Sequence, residues 1–168
     1  MIKLLGICCL IMGFFGLSFD RVREEATGIK RLAALKSFVI YLLREIEYSH
    51  IPIPDICKEY QDRSDNELRT YLEKICKQYE NSPGKSYEGI WNDEAENIVW
   101  KKEEKLWLKK LGKCFGYCNI GMQLAAIEQY LQDIEKQLLQ KEKKFQDNRK
   151  LILYFGVMSG LLLSIILL

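Results

Sequence analysis

Two charge-free apolar stretches bracket a strongly charged middle, and that arrangement limits this chain more than any other feature. Residues 4–19 contain no Asp, Glu, Lys or Arg, and neither do residues 151–168. All 23 acidic residues, and all 25 basic ones except Lys3, lie in residues 20–150. The middle is therefore close to electroneutral, which argues against a nucleic-acid-binding footprint. The 168 residues suffice for one ordinary domain. A single histidine, His50, removes most zinc-hydrolase and catalytic-triad schemes.

A helix that crosses a bilayer needs roughly 17–25 predominantly apolar residues. Leu151–Leu168 supplies such a run, with Gly156, Ser159, Gly160 and Ser164 among the Leu, Ile, Val, Phe and Met. It is expected to span, with its end at or near the far face of the bilayer. Leu4–Phe19 is shorter and follows Lys3. A cleaved secretory signal competes there, but it wants a small-residue site after the apolar core. Gly13, Gly16 and Ser18 are instead interleaved with Phe14, Phe15, Leu17 and Phe19 and run into Asp20-Arg21, which favours an uncleaved anchor. The expected division is a span over 1–19, a helical domain over 20–150 and a span over 151–168.

Arg21, Arg23, Lys30 and Arg31 follow the first stretch, and Lys141, Lys143, Lys144, Arg149 and Lys150 precede the second. This bias places the middle in the cytoplasm and both termini outside. Cys57, Cys76, Cys114 and Cys118 then remain thiols in a reducing compartment, and Cys8 and Cys9 lie in the membrane.

The middle reads as all-α. Leu32, Leu35, Val39, Leu42 and Ile46 recur at spacings of three and four, as do Leu124, Ile127, Leu131, Ile134 and Leu138. Each stripe belongs to a long helix continuous with an apolar stretch. Two spans joined on one side of a bilayer are antiparallel, so the two helices are expected to pair seam to seam. A wider core that both stripes face is the alternative, and the two are compatible. The first helix ends near Tyr48–His50, because Pro52 and Pro54 cannot continue it. Ser64-Asp65-Asn66-Glu67 is a capping-box pattern, opening a helix with Leu68, Tyr71, Leu72, Ile75 and Tyr79 on one face. Asn81–Lys85 is a loop. A short segment at Ile90–Trp91 leads to a helix carrying Ile98, Val99, Trp100, Trp107, Leu108 and Leu111. Gly112, Gly116 and Gly121 punctuate a turn, and Asn119 stands where the last helix wants its N-cap. No run alternates with period two, so no sheet is expected.

The chemical inventory is sparse. Cys114 and Cys118 are spaced to share a helix face, but zinc wants two further ligands, and neither Cys57, Cys76 nor His50 shows ligand spacing. Buried thiols are the simpler reading. Residues 112–116 lack the Gly-Lys-Ser/Thr ending of a phosphate loop. Lys101-Lys102-Glu103-Glu104-Lys105 reads as a solvated helix face with paired charges, or as a docking face flanked by Trp100 and Trp107. Gly156 and Gly160 form a small-xxx-small pair of the kind that packs membrane helices. Neither apolar stretch carries the internal charge typical of transport sites. Neither a catalytic group nor a cofactor site is expected.

Three segments resemble the stage III sporulation protein AB family of endospore-forming bacteria. Glu45-Ile46-Glu47-Tyr48-Ser49-His50-Ile51-Pro52-Ile53 is similar to its Glu-Ile-x-Tyr-x-x-x-Pro-Leu segment. Leu111-Gly112-Lys113-Cys114-Phe115-Gly116-Tyr117-Cys118-Asn119, with Gln123, is similar to its Gly-x-x-Leu-Gly-x-x-Asp-x-x-x-Gln stretch, with Phe115 at its Leu and Asn119 at its Asp. Residues 156–163 resemble its glycine-punctuated anchor. The resemblance marks Glu45, Ile46, Tyr48, Pro52, Gly112, Gly116, Asn119 and Gln123 as motif positions. It implies a platform subunit of a secretion-like channel between mother cell and forespore, in the mother-cell membrane. Its helical domain would be similar to those of type II secretion and type IV pilus platform proteins. The implied partners are a cytosolic motor ATPase, stage III sporulation protein AA, and other membrane subunits of the channel. A membrane-anchored helical scaffold or signalling protein unrelated to secretion is the competing class, and a small thiol enzyme using Cys114 and Cys118 is a third.

Overall fold

The computed structural model describes the backbone of residues 2–63, 67–117 and 119–167, and within these ranges the side chains of residues 22–151 other than 149. The elements are α1 (Ile2–Arg44), a π-helical turn (Glu45–Ser49), α2 (Ile53–Gln61), α3 (Glu67–Asn81), α4 (Tyr87–Asn97), α5 (Lys102–Cys114) and α6 (Ile120–Leu167). No strand occurs among the described residues, as the absence of period-two patterning leads one to expect. The chain divides into two units, residues 1–29 with 139–168, and residues 30–138.

In the first unit the backbone is helical through both apolar stretches. Among the described residues no helix is long and apolar enough to cross a membrane. The side chains of 4–19 and of 152–168, with Gly156 and Gly160, lie outside the described residues.

The second unit is a helical bundle, and both stripes enter it. Leu32, Leu35, Val39 and Leu42 of α1 and Ile46 of the π-helical turn are buried, as are Ile127, Ile134 and Leu138 of α6; Leu124 and Leu131 are half-buried. The α1 stripe does not close on α6 alone. Phe38 lies between its members, is buried, and meets Tyr60 at 5.1 Å and Trp91 at 6.0 Å between ring centroids. The wider core is therefore the arrangement of this unit. A Lys36–Glu135 ion pair at 3.0 Å joins α1 and α6 beside it.

Trp91 holds the centre. Its ring lies nearly parallel to Phe38 of α1 and edge-on to Tyr71 of α3 and to Phe115 after α5, at 5.0 and 4.9 Å. Its indole N–H donates to the Leu108 carbonyl of α5 at 2.7 Å, and its own carbonyl accepts from the Tyr71 hydroxyl at 2.7 Å. A buried polar group without a partner costs free energy. Here both are paired, each with a different helix.

One helix is added to those expected, and two expectations change. Residues 53–61, which follow the proline break, form a helix. Pro52 is its N-cap and Pro54 falls in its first turn, where proline's missing N–H costs nothing. The Pro52 carbonyl accepts from Asp55 and Ile56 N–H, and Ile56 and Cys57 enter the core. The helix expected to carry Ile98 through Leu111 is interrupted: α4 ends at Asn97, a link follows in which Ile98 and Lys101 are extended and the Trp100 N–H donates to the Ile98 carbonyl at 2.9 Å across a bend, and α5 starts at Lys102. Gly112 does not punctuate a turn; it is buried in the last turn of α5. A β-carbon there would stand 2.5 Å from Trp91 Cδ1 and 2.7 Å from Asn92 Oδ1. The remaining elements agree: α3 buries Leu68, Tyr71, Leu72 and Ile75, though Tyr79 is exposed, and Gly84, at φ 101°, turns the loop after it. Ser64-Asp65-Asn66 lies outside the described residues.

Two substitutions probe this centre, both read by denaturant unfolding of the full chain in detergent micelles. Tyr71→Phe removes a buried hydrogen bond to the Trp91 carbonyl, which keeps its place in the α4 ladder, and should cost about 0.5–1.5 kcal/mol. Gly112→Ala forces α4 and α5 apart and should cost about 1–3 kcal/mol, although alanine is the better helix former.

Candidate partner-docking surface

The first motif segment is the end of α1. Ile46 is buried, and the Ser49 hydroxyl donates to the Glu45 carboxylate at 2.8 Å across the π-helical turn. His50 closes the turn in the left-handed region, at φ 52° and ψ 30°, a conformation rare outside glycine. Pro52 then starts α2. Tyr48, in the middle of the segment, is 76% exposed.

The second motif segment is the α5–α6 corner. Gly112 lets α5 approach Trp91, and a β-carbon at Gly116 would fall on the Glu88 carboxylate of α4. The Asn119 side chain accepts from Gly121 and Met122 N–H at 2.8 and 3.2 Å, the capping role expected of it. Gln123 adds a second tie, its amide donating to the Cys114 carbonyl at 3.4 Å. Asparagine caps a helix about as well as aspartate, so Asn119 performs this role without a charge.

The structure brings the two segments to one end of the bundle. Contacts along α1 and α5 step in the same order: Arg31 meets Glu104, then Phe38 meets Trp91, itself bonded to Leu108 and packed on Phe115. Contacts between α5 and α6 step in reverse: Trp107 with Tyr130, then Cys114 with Ala126. So α1 and α6 are antiparallel within this unit. Tyr48 lies as many residues beyond Lys36 as Gln123 lies before Glu135, the ion-paired rung. At a rise of about 1.5 Å per helical residue, both stand at the same end. Ile120 and Met122, 57% and 59% exposed, and Tyr117 stand there with Tyr48. This gathers exposed apolar side chains between backbone devices that fix their positions.

The described cysteines are held protonated. The Cys114 thiol is buried and donates to the Lys110 and Ala126 carbonyls at 3.5 and 3.7 Å, and burial pushes its pKa up to about 11. Burial raises Cys57 and Cys76 as well. A thiol held protonated at neutral pH is a poor nucleophile. Cys118 lies outside the described residues. Among the described residues, no group of three or more His, Cys, Asp or Glu could hold a metal ion.

The mixed run at 101–105 is not simply a solvated face. Glu104 is buried and accepts from Arg31 at 2.9 Å and from its own N-cap N–H at Lys101. Arg31 also grips Glu67 through two bonds of 2.8 and 3.0 Å, and the Trp100 indole donates to Glu67 at 2.6 Å. These bonds, from Arg31 first, hold the Glu67 carboxyl below its usual pKa. Sequence reasoning missed this cluster because Arg31 reads there only as a membrane-flanking base.

Residues 3–168 match the family model described as Stage III sporulation protein AB. A solved structure titled "Stage III sporulation protein AB (SpoIIIAB)" is similar to this chain at a TM-score of 0.62 and 19% identity, covering 69% of this chain and 94% of its own; that likeness concerns the fold. The curated proteins contain no match to the sequence. The family match extends over nearly the whole chain, through both motif segments, and the chain belongs to the stage III sporulation protein AB family.

Proposed function

We propose that this chain is a non-catalytic membrane platform subunit of the stage III sporulation channel, and that it docks a cytosolic motor ATPase to the membrane components. The observation that carries the reading is the exposed apolar end built by the two motif segments. Tyr48, Ile120 and Met122 face solvent there, while the neighbouring motif residues cap, turn and pack. Clustered exposed apolar side chains mark interaction sites. Protonated, buried thiols suit an adaptor better than a thiol enzyme.

The membrane part of the proposal rests on composition. Two charge-free stretches at 4–19 and 151–168, each flanked by basic residues towards the middle, suit two spans with the bundle in the cytoplasm of the mother cell. There the bundle can meet a cytosolic partner. The backbone of α1 and of α6 is helical from each stretch into the bundle, and a continuous helix passes on a displacement better than a flexible linker.

The test is co-purification of the full chain with a stage III sporulation protein AA-like ATPase, with and without Ile120→Glu/Met122→Glu. New acids in the first turn of α6 are compatible with its dipole, so helix content should be unchanged. Loss of two apolar contacts should lower recovery of the ATPase about tenfold or more. Equal recovery, or no recovery with the wild type, would remove this end as the docking site and return the chain to an unrelated membrane scaffold.

A further inference from the structure

A cleft of about 310 Å³ opens in the second unit between α1, α3 and the link from α4 to α5. It lies apart from the α5–α6 corner, and Arg31, Glu67, Lys74, Glu94, Val99 and Trp100 are in its wall. Charge in it does not balance. The single charge of Arg31 is shared by Glu67 and Glu104. Glu94 adds another carboxylate, and Lys74 one ammonium. One negative charge is left over.

Glu94 is the group that needs an explanation. It is 6% exposed, yet its hydrogen-bond partner is the neutral Gln78 amide, and no ion pair reaches it among the described residues. Carboxylates are seldom buried without a cation. Arg31 cannot turn to it without abandoning Glu67 and Glu104. Val99, 91% exposed, and the half-buried Ile98 line the cleft on the link from α4 to α5, while the Trp100 ring is buried with Arg31 over it at 5.4 Å. The two aliphatic side chains offer an apolar lip beside an acidic wall.

We propose that this cleft receives a basic side chain, arginine or lysine, presented by a segment of a protein partner whose neighbouring residues are apolar. The cation would supply Glu94 with its missing counter-charge and cancel the excess in the wall. The flanking apolar residues would cover Val99 and Ile98. Arginine suits the site better, since its planar fork can bridge two carboxylates. The inference stands independently of ATPase docking at the other end of the bundle.

The test uses the full chain in detergent micelles with its three tryptophans replaced by 5-fluorotryptophan. Trp100→Phe assigns the reporter by loss of its ¹⁹F resonance. The probe is N-acetyl-arginine methylamide, added to about 50 mM because contacts of one side chain saturate in the millimolar range. The Trp100 resonance should shift saturably while those of Trp91 and Trp107 hold still. N-acetyl-glutamate methylamide should leave it in place. Glu94→Gln keeps the size of the side chain and the Gln78 contact, and should weaken the probe about tenfold. No saturable shift with the wild type, a shift with the glutamate probe instead, or an unchanged affinity in Glu94→Gln would overturn the proposal. The contrast between the two probes on the wild type does not depend on the variant folding.

Discussion

The bundle is organised by the sealing of one indole. Trp91 is fully buried, and its two polar groups are paired with different helices: N–H with Leu108 of α5, carbonyl with Tyr71 of α3. Phe38 stacks on it from α1 and Phe115 closes its edge. The indole N–H cannot lose its partner without a desolvation penalty, and Tyr71 adds a second bond to a carbonyl of the α4 ladder, so the position of α4 fixes its neighbours. Gly112 follows from the same constraint, because no side chain fits between α5 and the indole. Gly116 repeats the arrangement one turn later against Glu88.

Much of this was legible because local signals carried it. The long helices announce themselves by apolar spacing, the start of α6 by Asn119, and the end of α1 by the prolines. What was hidden depends on distant partners. Nothing in residues 98–101 is a helix breaker, and the helix parts there as Trp100 turns to Glu67. Glu104 looks like one more surface charge until Arg31, far away in sequence, reaches it. The second helix was masked by Pro52 and Pro54, which exclude a helix interior but suit a helix start. Gly112 and Gly116 were visible as motif residues, but their use as points of close approach requires knowing what lies opposite.

The segments that resemble family motifs therefore encode shape. Glu45 and Ser49 stabilise the π-helical turn, Pro52 and Asn119 start helices, and Gly112, Gly116 and Gln123 set the α5–α6 corner. Tyr48 is the exception, since it faces solvent. A surface held by so many backbone devices is preorganised, and preorganisation lowers the entropic cost of binding. That is the physical link between these segments and the docking role proposed above.

The proposed docking of a cytosolic motor requires the bundle to lie in the cytoplasm. Lys85 is exposed in the loop between α3 and α4, beyond Gly84. A single cysteine at that position, with the native cysteines replaced by alanine, can be treated in intact cells with a membrane-impermeant thiol reagent and compared with lysed cells. The account predicts protection in intact cells and labelling after lysis. Labelling in intact cells would place the bundle outside the cytoplasm, beyond reach of a cytosolic motor, and would contradict it.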